Sequence, residues 1–205
     1  TGFINKQFEG KLSDSFSGSN VFSVLKMLKA TGSTTNIWGQ LHSTLPMQAN
    51  GTFTNEENLF MAILEESENI ASWYENREFS KAVRKIMMIT DLVNQYIDDN
   101  KPWILARQDE QRERLHDVCT VSLNIFRILV IMLEPILPEL AKKVETLFKQ
   151  TKRQEWNDIF QPLKGHSINA FTPLMTRVEK DKVAAMVEAS KEDLTATGAA
   201  STPVV

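Results

Sequence analysis

The chain holds one cysteine in 205 residues, Cys119, and it lies in an apolar stretch. A lone cysteine excludes an intrachain disulfide and leaves no second thiolate for a zinc site, so a reducing, cytoplasmic setting is expected. Glycine and proline are scarce too, at 8 and 7 residues, with the glycines mainly in the first quarter of the chain. Little therefore interrupts long helices in the remainder. Positive charge is not in excess either, since the formal net charge is -3. That argues against a broad phosphate-gripping surface. It does not exclude reading a few unstacked bases, which takes an aromatic platform, some hydrogen-bonding groups and local positive charge.

Long hydrophobic runs are lacking as well. The most apolar stretch, Leu123 to Leu137, is interrupted by Arg127 and Glu134. It falls short of the roughly twenty residues that cross a bilayer and reads as a buried core helix, so no membrane partner is expected. No basic segment followed by an apolar one opens the chain, so no secretory signal is expected, and Thr1 at the first position suggests a fragment or a processed product. There is no Gly-rich phosphate loop, and no serine or cysteine in a nucleophile motif. The histidines His42, His116 and His166 are scattered. Glu113-Arg114-Leu115-His116 is a Glu-x-x-His element, but di-iron bundles need two of these plus a carboxylate from each of two other helices. It reads as a solvated helix face. No catalytic or metal-ligating residue is assigned.

What is present is helical periodicity. Val21, Phe22, Val24, Leu25 and Leu28 predict a short amphipathic helix, and Trp38 and Leu41 a second, punctuated by Gly32, Gly39, Pro46 and Gly51. Asn55 to Asn76 carries Leu59, Phe60, Ile63, Leu64, Ile70, Ala71 and Trp73 near one face, with Thr54 and Glu57 spaced as a capping box. Arg77 to Asp99 predicts a helix with Phe79, Ala82, Val83, Ile86, Leu92, Val93, Tyr96 and Ile97 inward, and Arg77, Lys81, Arg84 and Lys85 outward. A short helix to about Gln108, a long one from Asp109 to Leu133, another from Leu140 to Phe148, and a last one marked by Val183, Met186, Val187 and Leu194 complete an all-α helix bundle. Trp156, Ile159, Phe160 and Leu163 anchor an irregular packing segment.

The most telling stretch is Asn94 to Trp103. Pro102 biases Lys101 away from the helical region and suits the first position of a new helix, which puts Trp103 near that helix's amino end. An indole there can be offered outward. Arg107, four residues on, would lie beside it on a continuing helix, where a guanidinium can meet a phosphate or stack on a base. Asn94 carries an amide able to pair with a base edge, and Tyr96 should pack inward with its hydroxyl at the boundary. The basic residues near position 80 lie about 25 Å or more away along the helix and read as a solvated face.

Several motifs in order now carry a resemblance: Gly2-Phe3-Ile4-Asn5-Lys6, the run Arg77 to Met87, Asn94-x-Tyr96-Ile97 with Pro102-Trp103 and Ala106, Leu123-Asn124-Ile125-Phe126-Arg127, Pro135-x-Leu137-Pro138, Gln161-Pro162-Leu163-x-Gly165-His166, and Glu188-Ala189-Ser190-Lys191-Glu192. They closely resemble the anticodon-binding domain of bacterial methionyl-tRNA synthetases, over about residues 1 to 16 and 57 to 194. The resemblance implies a bundle over residues 1–194, with about 17–56 an insertion relative to the family and 195–205 a flexible tail or linker. It implies that Trp103 stacks on an anticodon base of the methionine tRNA, with Pro102, Asn94 and Arg107 around it. It implies a partner catalytic domain in cis, outside this chain, that attaches methionine to tRNA(Met) using ATP and magnesium. The family's His-x-Gly-His and Lys-Met-Ser-Lys-Ser signatures are absent, so this chain alone should not aminoacylate and needs no cofactor. Two anticodon-reading residues that the family places just upstream of Gly2 are absent too, so binding by this chain alone should be weak. The anticodon domain of another class I synthetase and a helical protein-interaction module are the alternatives; the oligomeric state of the intact protein is left open.

Overall fold

The computed structural model describes residues 1–30, 37–45, 55–175 and 179–198, with side chains up to residue 190. In order, the helices are α1 (Gly2–Gln7), α2 (Asn20–Ala30), α3 (Ile37–Thr44), α4 (Asn55–Glu75), α5 (Phe79–Asn100), α6 (Pro102–Leu105), α7 (Arg112–Leu133), α8 (Pro138–Leu147) and α9 (Lys180–Gly198). Single 3₁₀ turns stand at Asp109–Gln111 and Trp156–Phe160. Among the described residues β-type pairing is confined to one antiparallel bridge between Lys11 and Ser167. The expected all-α bundle is what forms. Residues Thr1–Thr172 make one compact unit and Pro173–Val205 another, the latter built around α9.

The central element of the first unit is α7. By length and composition it could cross a membrane, since with the turn before it the helical stretch Asp109–Leu133 runs for 25 residues and reaches a mean hydropathy of 1.6 in its most apolar part, longer than the apolar run Leu123 to Leu137 suggested. However, 72% of its most apolar window is buried inside the bundle, which makes it a core helix. Val118, Val121, Ile125, Ile128 and Met132 face a core shared with Phe60, Ile63, Leu64 and Ile70 of α4 and Ala82, Ile86, Ile89 and Val93 of α5. Burying so many aliphatic side chains at about 25 cal/mol per Å² is the main drive for this packing. The segment that the sequence marked as additional joins the same core. Val21, Phe22, Leu25 and Leu28 of α2 and Leu41 of α3 are all buried in it.

The separate motifs of the second half prove to be stitched together. The Asn124 amide donates to Leu163 O (3.1 Å) and its oxygen accepts from Leu163 N (2.7 Å). Arg127, buried beside it, donates to Asp158 O (3.1 Å) and Gln161 O (3.0 Å). Burial pulls its pKa down to about 10, against the opposing influence of the Asp158 charge. The helical run Leu123 to Arg127 thus holds the irregular segment 158–163 against α7, with polar bonds satisfying backbone groups that a helix would have paired internally.

Several expectations change. Phe79 and Leu92 face outward, 47% and 55% exposed, because α4 and α7 cover one face of α5 only. Met87 and Met88 of the same helix are exposed too. Arg77 is not in α5; it sits before it with a positive φ of 60°. The short helix after Pro102 ends at Leu105, not near Gln108. The Tyr96 hydroxyl is buried and bonded rather than at the boundary. Thr54, and with it the proposed capping box, lies outside the described residues, as do Gly32, Pro46, Gly51, the Leu194 side chain and positions 199–205.

Candidate nucleic-acid interface

The corner between α5 and α6 is a single residue. Lys101 closes α5 by donating its N–H to Ile97 O (2.9 Å), and its own carbonyl accepts from Ile104 N (2.8 Å) to open α6. It does so in the left-handed region, at φ 47° and ψ 60°, where a non-glycine residue is strained by roughly 1–2 kcal/mol. The departure from helix before Pro102 is therefore left-handed, not the extended conformation that usually precedes proline. Pro102 fills the first position of α6, which needs no N–H donor, and is buried.

Beyond that buried proline the chain turns its next two side chains to solvent. Trp103 is 42% exposed and Ile104 43%. The indole is therefore not enclosed by the protein's own helices. Lys101 and Arg107 flank it in sequence, both exposed and without an ion-pair partner among the described residues. The turn following α6 closes with Arg107 N to Ile104 O (3.0 Å) and Gln108 N to Leu105 O (3.1 Å), both three residues back. This is 3₁₀ winding, so the four-residue spacing no longer stacks Arg107 on Trp103 as on a regular helix. Asn94 is exposed on α5, and its amide makes no bond among the described residues. The structure thus places Trp103, Asn94 and Arg107 at the surface and Pro102 beneath it.

The corner is anchored on both sides. The Gln7 amide of α1 donates to Ala106 O (3.3 Å), which seats the end of α6 against the chain's first helix. On the other side Asn100 donates to Tyr96 O (2.9 Å) and accepts from Arg114 (2.6 Å). Arg114 also donates to Glu56 (2.8 Å), only 6% exposed, which accepts the Tyr96 hydroxyl as well (3.1 Å). Burial, together with the Glu56 charge, raises the Tyr96 pKa far above the ordinary phenol value. For Arg114 burial works downward, but the bond to Glu56 and the surrounding negative groups leave its pKa raised. These partners escaped the sequence reading. Glu56 and Arg114 sit far apart in the chain at positions that look like solvated helix faces, and only the fold brings them together.

The other candidates are occupied structurally. His116 Nε2 lies 2.8 Å from Lys11 O and its ring stacks on Phe8 at 4.0 Å. Of the outward basic residues, Lys81 pairs with Glu78 (2.6 Å) and Lys85 with Glu66 of α4 (2.9 Å). Among the described residues no three His, Cys, Asp or Glu side chains group as metal ligands.

Fold and corner together define an α-helical bundle that presents an exposed aromatic side chain on a fixed corner. Comparison with known proteins specifies it further. Residues 25–190 match the family model described as the anticodon binding domain of methionyl tRNA ligase, and the chain belongs to that family. Among solved structures it is similar to Mycobacterium tuberculosis methionyl-tRNA synthetase in its free state, with a TM-score of 0.61 and 15% identity over 86% of this chain and 30% of that one. The same enzyme bound by methionyl-adenylate gives 0.59 and 15% over 85% and 28%. A further complex of it with methionyl-adenylate gives 0.56 and 19% over 86% and 32%. At these identities the likeness speaks for the fold. The chain spans about a third of the length of these enzymes or less.

Proposed function

We propose that this domain reads the anticodon loop of the methionine tRNA, with Trp103 as the stacking platform for one unpaired base. The observation that carries the reading is an indole 42% exposed above a buried proline, on a corner whose backbone is fixed from both sides, in a chain of the anticodon-binding family. Asn94 supplies a free amide for a base edge, and Arg107 and Lys101 supply local positive charge at the rim. Pro102 acts by shaping the corner, since it offers no surface of its own.

The protein carrying this domain would join methionine to its tRNA in the cytoplasm. ATP and magnesium would bind in a catalytic domain in cis. Binding of a CAU anticodon stem-loop by the full-length protein, wild type against Trp103→Ala, is the test. Loss of one base stack is worth roughly 1–3 kcal/mol, so binding should weaken between about fivefold and a hundredfold. A stem-loop with an altered anticodon should bind weakly to both forms. Equal affinity of wild type and Trp103→Ala for the CAU loop would overturn the reading.

A further inference from the structure

The cluster beneath the corner reaches further than Asn100. The second guanidinium nitrogen of Arg114 donates to Asp117 Oδ2 (2.7 Å). Asp117 in turn accepts from Ser17 N (2.7 Å) and Ser17 Oγ (2.8 Å). Asn20, at the start of α2, donates to Glu57, which is buried next to Glu56. Gly18 lets these approaches happen: it has a φ of +78°, and a Cβ there would lie 2.9 Å from the Phe60 ring and 3.0 Å from the Glu56 backbone. Ser17 and Glu56 stand at the two ends of the segment that the sequence marks as additional. Both ends therefore connect to one arginine, Glu56 directly and Ser17 through Asp117, and that arginine holds the residue immediately before the strained Lys101.

A planar, forked cation that bridges three oxygens restrains its partners more than separate single bonds would. A residue held in a sparsely populated backbone conformation persists only where its surroundings over-determine it. We infer that Arg114 is a positioning residue for the Trp103 corner, and that the two ends of segment 17–56 act through it as a brace that preorganises the stacking ring. This rests on the anticodon reading of Trp103. The gain is in binding, because a ring fixed before RNA arrives spends less interaction energy on ordering.

The test is a double-mutant cycle on the full-length protein. Arg114→Gln combined with Glu56→Gln removes the charged pair together, and Asp117 keeps its two bonds from Ser17. Asn100→Ala, a milder change, cuts the link from Arg114 to the corner together with the Asn100 bond to Tyr96 O, and leaves Arg114 paired with Glu56 and Asp117. In the Trp103 background either change should weaken CAU stem-loop binding about five- to tenfold, and in the Trp103→Ala background less than about twofold, because groups acting through one another are non-additive. The same factor in both backgrounds, or no loss in either, overturns the brace. A readout without RNA separates this from the anticodon reading. With 5-fluorotryptophan incorporated, the ¹⁹F resonance that Trp103→Ala deletes should shift or split in the Asn100→Ala protein while the other tryptophan resonances stay in place. An unchanged Trp103 resonance refutes the brace whatever the RNA does. A shifted resonance in a protein whose binding ignores Trp103→Ala upholds the brace and discards the anticodon reading.

Discussion

At the scale of single residues, function and packing compete for the same few aromatic side chains. Trp103 is spent on the surface, whereas both tyrosines of the chain are spent on polar anchorage: the Tyr74 hydroxyl donates to Met132 O (2.9 Å) and that of Tyr96 to Glu56 (3.1 Å). Burial raises both pKa values above 10.0, and at Tyr96 the Glu56 charge adds to it. Because the unfolded chain would release these protons first, their contribution to stability is complete below about pH 10 and is lost as pH rises beyond it. Ultraviolet titration of tyrosinate should accordingly show little ionisation near pH 10 and a late rise coincident with unfolding. Free ionisation at the ordinary phenol value would contradict the buried bonds. Cys119 is held protonated in the same way, burial pushing its thiol up to about 11. Alkylation by iodoacetamide at neutral pH should therefore be slow in the native protein and fast only after denaturant is added.

At the scale of elements, the corner joins two helices through one left-handed lysine. Lys101→Gly relieves the side-chain strain at φ 47° and should raise stability by up to about 1 kcal/mol in urea unfolding. Lys101→Val puts a branched Cβ into the same conformation and should lower it by more than about 1 kcal/mol. Opposite signs for the pair are the signature of a left-handed linker. This corner was legible in sequence because Pro102 starts helices and constrains what precedes it. The lengths of α4, α5 and α7 were legible from their apolar spacing for a similar local reason. What misled was the outward face of α5. Periodicity counts Phe79 and Leu92 as apolar wherever they point, and whether a neighbour covers them depends on helices distant in sequence.

At the scale of the whole molecule, stability is concentrated where α7 passes through the bundle. Ile125, fully buried, belongs to the core that α7 shares with α4 and α5, so Ile125→Ala should cost about 2–5 kcal/mol in chemical unfolding. An exposed residue of the same kind, Leu92→Ala on α5, should cost well under 1 kcal/mol. Sequence by itself settled the helical class, the order of the long helices and the residue at the corner, since these follow from spacing, from proline geometry and from motifs read along the chain. Only the tertiary structure decided that α2 and α3 belong to the core, that Asn124 and Arg127 hold segment 158–163, and that Glu56, Asn100, Arg114 and Asp117 meet at the end of α5. The reason is physical: a charged side chain on a helix reads as solvated until another helix removes the water, and no local pattern records which helix will do so.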